Sequence, residues 1–159
     1  ERSNTMSNLL VQNIKHTNGT TAQTIDTSGR TTVSIMNNDS TFRSDGGAVT
    51  QNLVQGLCKH WVNFNGEGTI AISDSFNSAS LVDNGTGDYA TNLTNNMSNS
   101  NYGFGLATIG NDSDLWGIAS ENRSTSQIEI TTKYHANGNS GVLVADRSAM
   151  SSTIHGDLA

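Results

Sequence analysis

Apolar residues in this chain recur at every second position, in short runs separated by Gly and Asn. They do not recur at the three-to-four-residue spacing of an amphipathic helix. The clearest runs are 57–64, 69–74, 88–93, 101–109, 115–119, 126–134, 141–145 and 149–155. They are rich in the Val, Ile, Thr and aromatic residues that strands favour. In 126–134, Ile128, Ile130, Thr132 and Tyr134 fall on one side and Gln127, Glu129, Thr131 and Lys133 on the other, which predicts a half-buried antiparallel strand. Asn65-Gly66, Asn84-Gly85 and Asn137-Gly138 suit tight hairpin turns. No stretch carries helical periodicity with caps, so a parallel sheet with helical crossovers is disfavoured. The expectation is an all-β fold, an antiparallel β-sandwich or jelly-roll-like domain.

Residues 1–55 differ in kind. They hold few aromatics and only short apolar pairs such as Leu9-Leu10 and Val33 with Ile35, so they cannot bury much alone. The sequence predicts an extended, strand-poor arm over 1–55, used for oligomerisation or attachment, and a terminal β domain over 56–159. Leu9, Ile14, Ile25 and Val33 are the arm's candidate interface residues, and association of three chains is the expected way to hide them.

Composition narrows the chemistry. The 159 residues include 20 Asn, 20 Ser, 19 Thr and 16 Gly, no Pro, and only 33% hydrophobic and 14% charged residues. Eight Lys and Arg stand against 14 Asp and Glu, with no basic cluster, so nucleic acid is not an expected partner. No apolar run reaches the length of a membrane span and no secretory leader is evident, so the chain reads as soluble. Cys58 is the lone cysteine, which excludes an internal disulfide and fits assembly in a reducing cytoplasm.

Motifs for catalysis or cofactors are weak. His16, His60, His135 and His155 lack metal-ligand spacing. No nucleophile elbow occurs. Gly66-Glu67-Gly68 and Gly85-Thr86-Gly87 precede strand-like runs, where dinucleotide binding needs a helix. The oxygen-rich segments 83–88 and 111–114 are better read as Asx turns than as calcium loops. Neither a cofactor nor a metal is expected. Glu67, Glu121 and Glu129 could serve a glycan-cleaving enzyme, but no spacing joins a pair. Trp61, in the run 57–64, is expected in the core or an interface.

The strings themselves carry a resemblance. Lys59-His-Trp-Val-Asn-Phe-Asn-Gly-Glu-Gly-Thr-Ile-Ala-Ile-Ser-Asp-Ser-Phe-Asn77, then Val82-Asp-Asn-Gly-Thr-Gly-Asp-Tyr89, Asn101-Tyr102 and Ile154-His-Gly-Asp157, resemble a domain of tail-fibre and other virion proteins of tailed, especially marine, bacteriophages. Residues 18–33 are similar to a linker ahead of terminal domains in such fibres. The resemblance implies a non-enzymatic virion component, a fibre or fibre-tip module contacting the host surface; head or tail decoration is the alternative. Nothing in the motif is catalytic. Residues 95–125 depart from the pattern, and variable loops are where specificity sits. Asn111, Asp112, Asp114 and Trp116, acidic groups beside an indole, are therefore the candidate receptor site, for a host glycan or protein.

Overall fold

The computed structural model describes residues 13–33, 35–37, 39–43, 47–108, 115–119 (backbone only), 122–135 and 141–159. The chain divides into two compact units, Glu1–Ser40 and Thr41–Ala159. The boundary expected at Gln55-Gly56 falls inside the second unit. No helix among the described residues is long and apolar enough to cross a membrane.

The first unit is richer in strands than its composition predicts. β1 (Asn13–Lys15), β2 (Thr21–Ile25) and β3 (Thr31–Val33) form an antiparallel meander. Turn chemistry builds it, not burial. In each connection the Gly at the third loop position, Gly19 (φ 85°) or Gly29 (φ 76°), adopts the left-handed backbone that closes a three-residue hairpin loop. The same pair of backbone bonds recurs: His16 N to Thr20 O with Gly19 N to His16 O, and Asp26 N to Arg30 O with Gly29 N to Asp26 O, all 2.9 Å. The Asn18 and Asp26 side chains accept further loop amides.

The second unit begins with the small hairpin β4 (Thr41–Phe42) and β5 (Gln51–Asn52) and one helical turn, α1 (Leu53–Gly56), capped by Asn52. Two antiparallel sheets follow. The first has the order β10 (Gly103–Thr108), β14 (Met150–His155), β6 (Cys58–Asn65), β7 (Ala71–Phe76). The second has the order β11 (Leu115–Ala119), β12 (Gln127–His135), β9 (Asp88–Leu93), β8 (Ser78–Gly85), with β13 (Leu143–Val144) also on β12. The expected all-β class is what the chain adopts.

The core lies between these sheets. Val62, Phe64, Met150 and Ile154 from the first meet Tyr89, Leu93, Ile128 and Ile130 from the second, and Met97 and Tyr102 close one margin. Phe64 and Tyr89 pack edge to face across the layers, ring centroids 5.4 Å apart. The alternation expected in β12 holds from Gln127 to Ile130 and then lapses: Thr131, expected on the wet face, is buried like Thr132, and Tyr134 is only partly buried. Of the two places expected for Trp61, core or interface, the core is excluded. Because Val62 and Phe64 point inward, Trp61 points to the outer face of the first sheet, where it is partly buried.

A single residue carries the chain from sheet to sheet. Asn77, between β7 and β8, has φ 58°, a conformation Asn tolerates better than most side chains. Its Nδ2 donates to the carbonyls of Lys59 and Asn95, and its Oδ1 accepts from Asn95 N. The corner is thereby tied to both layers.

Candidate functional site

The predicted receptor site is only partly placed. Asn111, Asp112 and Asp114 lie outside the described residues, as does Leu9 of the predicted interface set. Trp116 belongs to β11, with its backbone opposite Tyr134 of β12.

The other predicted interface residues are brought together. Ile14 of β1, Gln23 of β2 and Val33 of β3 are successive register partners and so share one face of the meander. Ile25, two residues from Gln23, has the same orientation and is partly buried. Ile14 is 48% and Val33 50% exposed, and a shallow depression of about 380 Å³ runs over Ile14, Gln23, Val33 and Ile35. No described residue of Glu1–Ser40 is buried. A three-stranded sheet with one apolar face needs something packed on that face for independent stability.

The motif segments occupy structural positions. Tyr89 Oη lies 2.7 Å from the Gly66 carbonyl and 2.6 Å from Asp146 Oδ1, which also accepts Gly87 N at 2.7 Å. Burial, then the neighbouring Asp146 carboxylate, raises the Tyr89 pKa above its ordinary value, so the phenol stays a donor. The two glycines are sterically required: a Cβ on Gly66 would sit 2.6 Å from Tyr89 Oη, and one on Gly87 2.7 Å from Thr132 Oγ1. Asp83 Oδ1 accepts Gly85 N within its own Asx turn. The string 82–89 therefore locks the β8–β9 hairpin to the loops beside it.

His60 is fully buried, with Nε2 3.0 Å from Ser78 Oγ. Desolvation lowers its pKa to about 4, so it is neutral near pH 7. The Cys58 thiol donates to the His60 carbonyl at 2.9 Å. Lys59, also buried, places its ammonium on the Val54 and Leu57 carbonyls, tying α1 to β6. The Cys58 thiol, the Lys59 ammonium and His60 Nε2 are engaged within the fold, whereas His60 Nδ1 is buried with no partner among the described residues. Glu67 sits in the β6–β7 turn, whereas Glu129 faces outward from β12 and accepts from Asn84 and Asn122. Among the described residues no group of three His, Cys, Asp or Glu side chains is arranged to hold a metal.

What this geometry can do is present surfaces: an apolar meander face and the outer faces of a sandwich in which Tyr89 and Asp146 serve the hairpins. No family model, curated protein or solved structure matches the chain.

Proposed function

We propose that this chain is a non-enzymatic virion surface protein, a fibre or fibre-tip module of a tailed bacteriophage that assembles as a homotrimer and contacts the host surface. The observation that carries the reading is the run of fibre-like strings over 59–77 and 82–89. Its physical support is the division of labour within the chain. The motif residues Asn77, Tyr89, Gly66 and Gly87 maintain a scaffold, and the meander presents Ile14, Ile25 and Val33 on one face, where Ile14 and Val33 stay half exposed among the described residues. Three such faces brought together remove that apolar surface from water. The loop containing Asn111, Asp112 and Asp114, with Trp116 after it, remains the proposed receptor contact.

The test is to raise antibody against the full chain and apply it to particles purified from cultures that produce it. Labelling of fibres or the tail end is expected. Labelling spread over the head would establish decoration instead, and absence of the chain from particles would overturn the reading.

A further inference from the structure

The two outer faces of the sandwich treat their polar side chains differently. On the second sheet Gln127 Nε2 donates to Asn92 Oδ1 at 2.8 Å and Asn92 Nδ2 to Ser80 Oγ at 2.9 Å, a side-chain ladder across three strands. Beside it Glu129 accepts from Asn122. From Gln127 to Ser80 the polar side chains of that face satisfy one another, while Thr131 Oγ1, further along β12, has no partner among the described residues.

The first sheet has no such ladder among the described residues. Strand register sets Thr153, Trp61 and Phe76 in one outward row, and Ser151, Asn63 and Asp74 in the next. Phe76 is 52% exposed and Asn63 and Asp74 are exposed. Among the described residues, the side chains of Trp61, Asn63, Ser151 and Thr153 have no hydrogen-bond partner in the protein, while Asp74 Oδ1 accepts only the adjacent Ser75 N. At the β10 end these rows finish in Gly105 and Ala107, which project little. A shallow depression of about 230 Å³ opens there between Asn63, Ala107 and Ser151. This is smaller than the roughly 300–1,000 Å³ of enclosed small-molecule pockets, and suits a ligand laid across a face.

Charge and hydrogen-bonding capacity select the ligand. Asp74 is the one charged group in the two rows, so a polyanion would meet a carboxylate with no compensating cation. A purely apolar ligand would strip water from Asn63, Ser151 and Thr153 and return no hydrogen bonds. A neutral polyhydroxylated ring meets both demands, with its C–H face on the aromatic pair and its hydroxyls on the amide and hydroxyl side chains. We propose that the outer face of the first sheet binds a neutral saccharide chain, one sugar ring stacked on Trp61 and Phe76 and its hydroxyls held by Asn63, Ser151 and Thr153. The proposal gives the host-contact reading a ligand class and rests on that reading only for the saccharide's source.

The purified full chain, applied to an array of neutral, amino and acidic glycans, should retain neutral oligosaccharides. Titration calorimetry with the best of these should then show Trp61→Ala and Asn63→Ala each weakening binding about tenfold or more. Asn92→Ala, on the opposite face, should bind like the parent. Asn63 is exposed, so its variant should keep the parent's melting temperature and oligomeric mass. Retention of no glycan, or of acidic glycans alone, would overturn the proposal. So would undiminished binding by Asn63→Ala and Phe76→Ala together, or an Asn63→Arg variant that changes the oligomeric mass, which would make this face an interface between copies. Particle labelling decides the virion reading separately: saccharide binding by a chain absent from particles leaves this site standing, and a chain on particles that binds no saccharide removes it.

Discussion

The unit Thr41–Ala159 and the unit Glu1–Ser40 are written in the same polar alphabet of Ser, Thr and Asn, yet they are held in different ways. The sandwich closes two sheets on a continuous core from Val62 to Ile154, whereas the meander has no described residue out of solvent's reach and leaves Ile14 and Val33 half exposed. Hairpin loops of one design suffice to give three short strands their register. They do not supply the burial that offsets chain entropy. Local turn chemistry and tertiary burial are therefore separable here, and the described residues of the meander carry the first without the second.

The largest expected effect lies in the sandwich interior. Phe64→Ala removes a fully buried ring from the contact between sheets and should cost about 3–5 kcal/mol in denaturant unfolding. Ile14→Ala should leave that transition within about 0.5 kcal/mol of the parent, as exposed substitutions do. Equal losses from the two would erase the contrast between the units.

Acid should act on the sandwich through His60. Its folded pKa is about 4 against an ordinary 6.5, so between those values the unfolded chain binds a proton that the folded chain refuses. This contribution is constant above pH 6.5 and falls as pH drops through that window, by about 3 kcal/mol in all. Stability curves of the parent and of His60→Gln at pH 7 and 4.5 check this: the parent should lose more than the variant.

The corner at Asn77 should show a smaller effect. Asn77→Ala loses both the tolerance for positive φ and three side-chain hydrogen bonds, and should cost about 2–3 kcal/mol. Asn77→Gly keeps the backbone freedom and should recover about 1 kcal/mol of that. Trp61→Ala should be milder than Asn77→Ala, about 1–2 kcal/mol, because the indole lies on the outer face and not in the core. A loss as large as that of Phe64→Ala would place it inside.

The strands that bury one face were legible from residue order. The 88–93 and 115–119 runs match β9 and β11, and the first half of β12 is buried in the expected alternation, because a core imposes period two on a strand's sequence. The elements that escaped are those that bury little. β8 runs Ser-Ala-Ser-Leu-Val-Asp-Asn-Gly with its apolar pair adjacent, and most of its residues are exposed, so no alternation marks it. The meander's signal lay in its turns: Thr17-Asn18-Gly19 and Thr27-Ser28-Gly29, ten residues apart, carry the same hairpin chemistry without a hydrophobic pattern. For Trp61 residue type alone leaves core and interface open, and the inward Val62 and Phe64 settle against the core. Ile14, Ile25 and Val33 stand out in the sequence only as apolar residues in a polar segment, and strand pairing gives them a common face that no spacing could show.

In the proposed assembly the sandwich stands on its own core while the meander is covered by other copies. Sedimentation equilibrium of the full chain beside the Ile14→Asp/Val33→Asp variant, with denaturant unfolding of the sandwich monitored in parallel, tests it most directly. The parent should sediment as a trimer of the 16.8 kDa chain and the variant as a monomer whose sandwich unfolds at the midpoint of a parent diluted to monomer. A parent that is already monomeric at micromolar concentration, or a variant that stays trimeric, would contradict the claim.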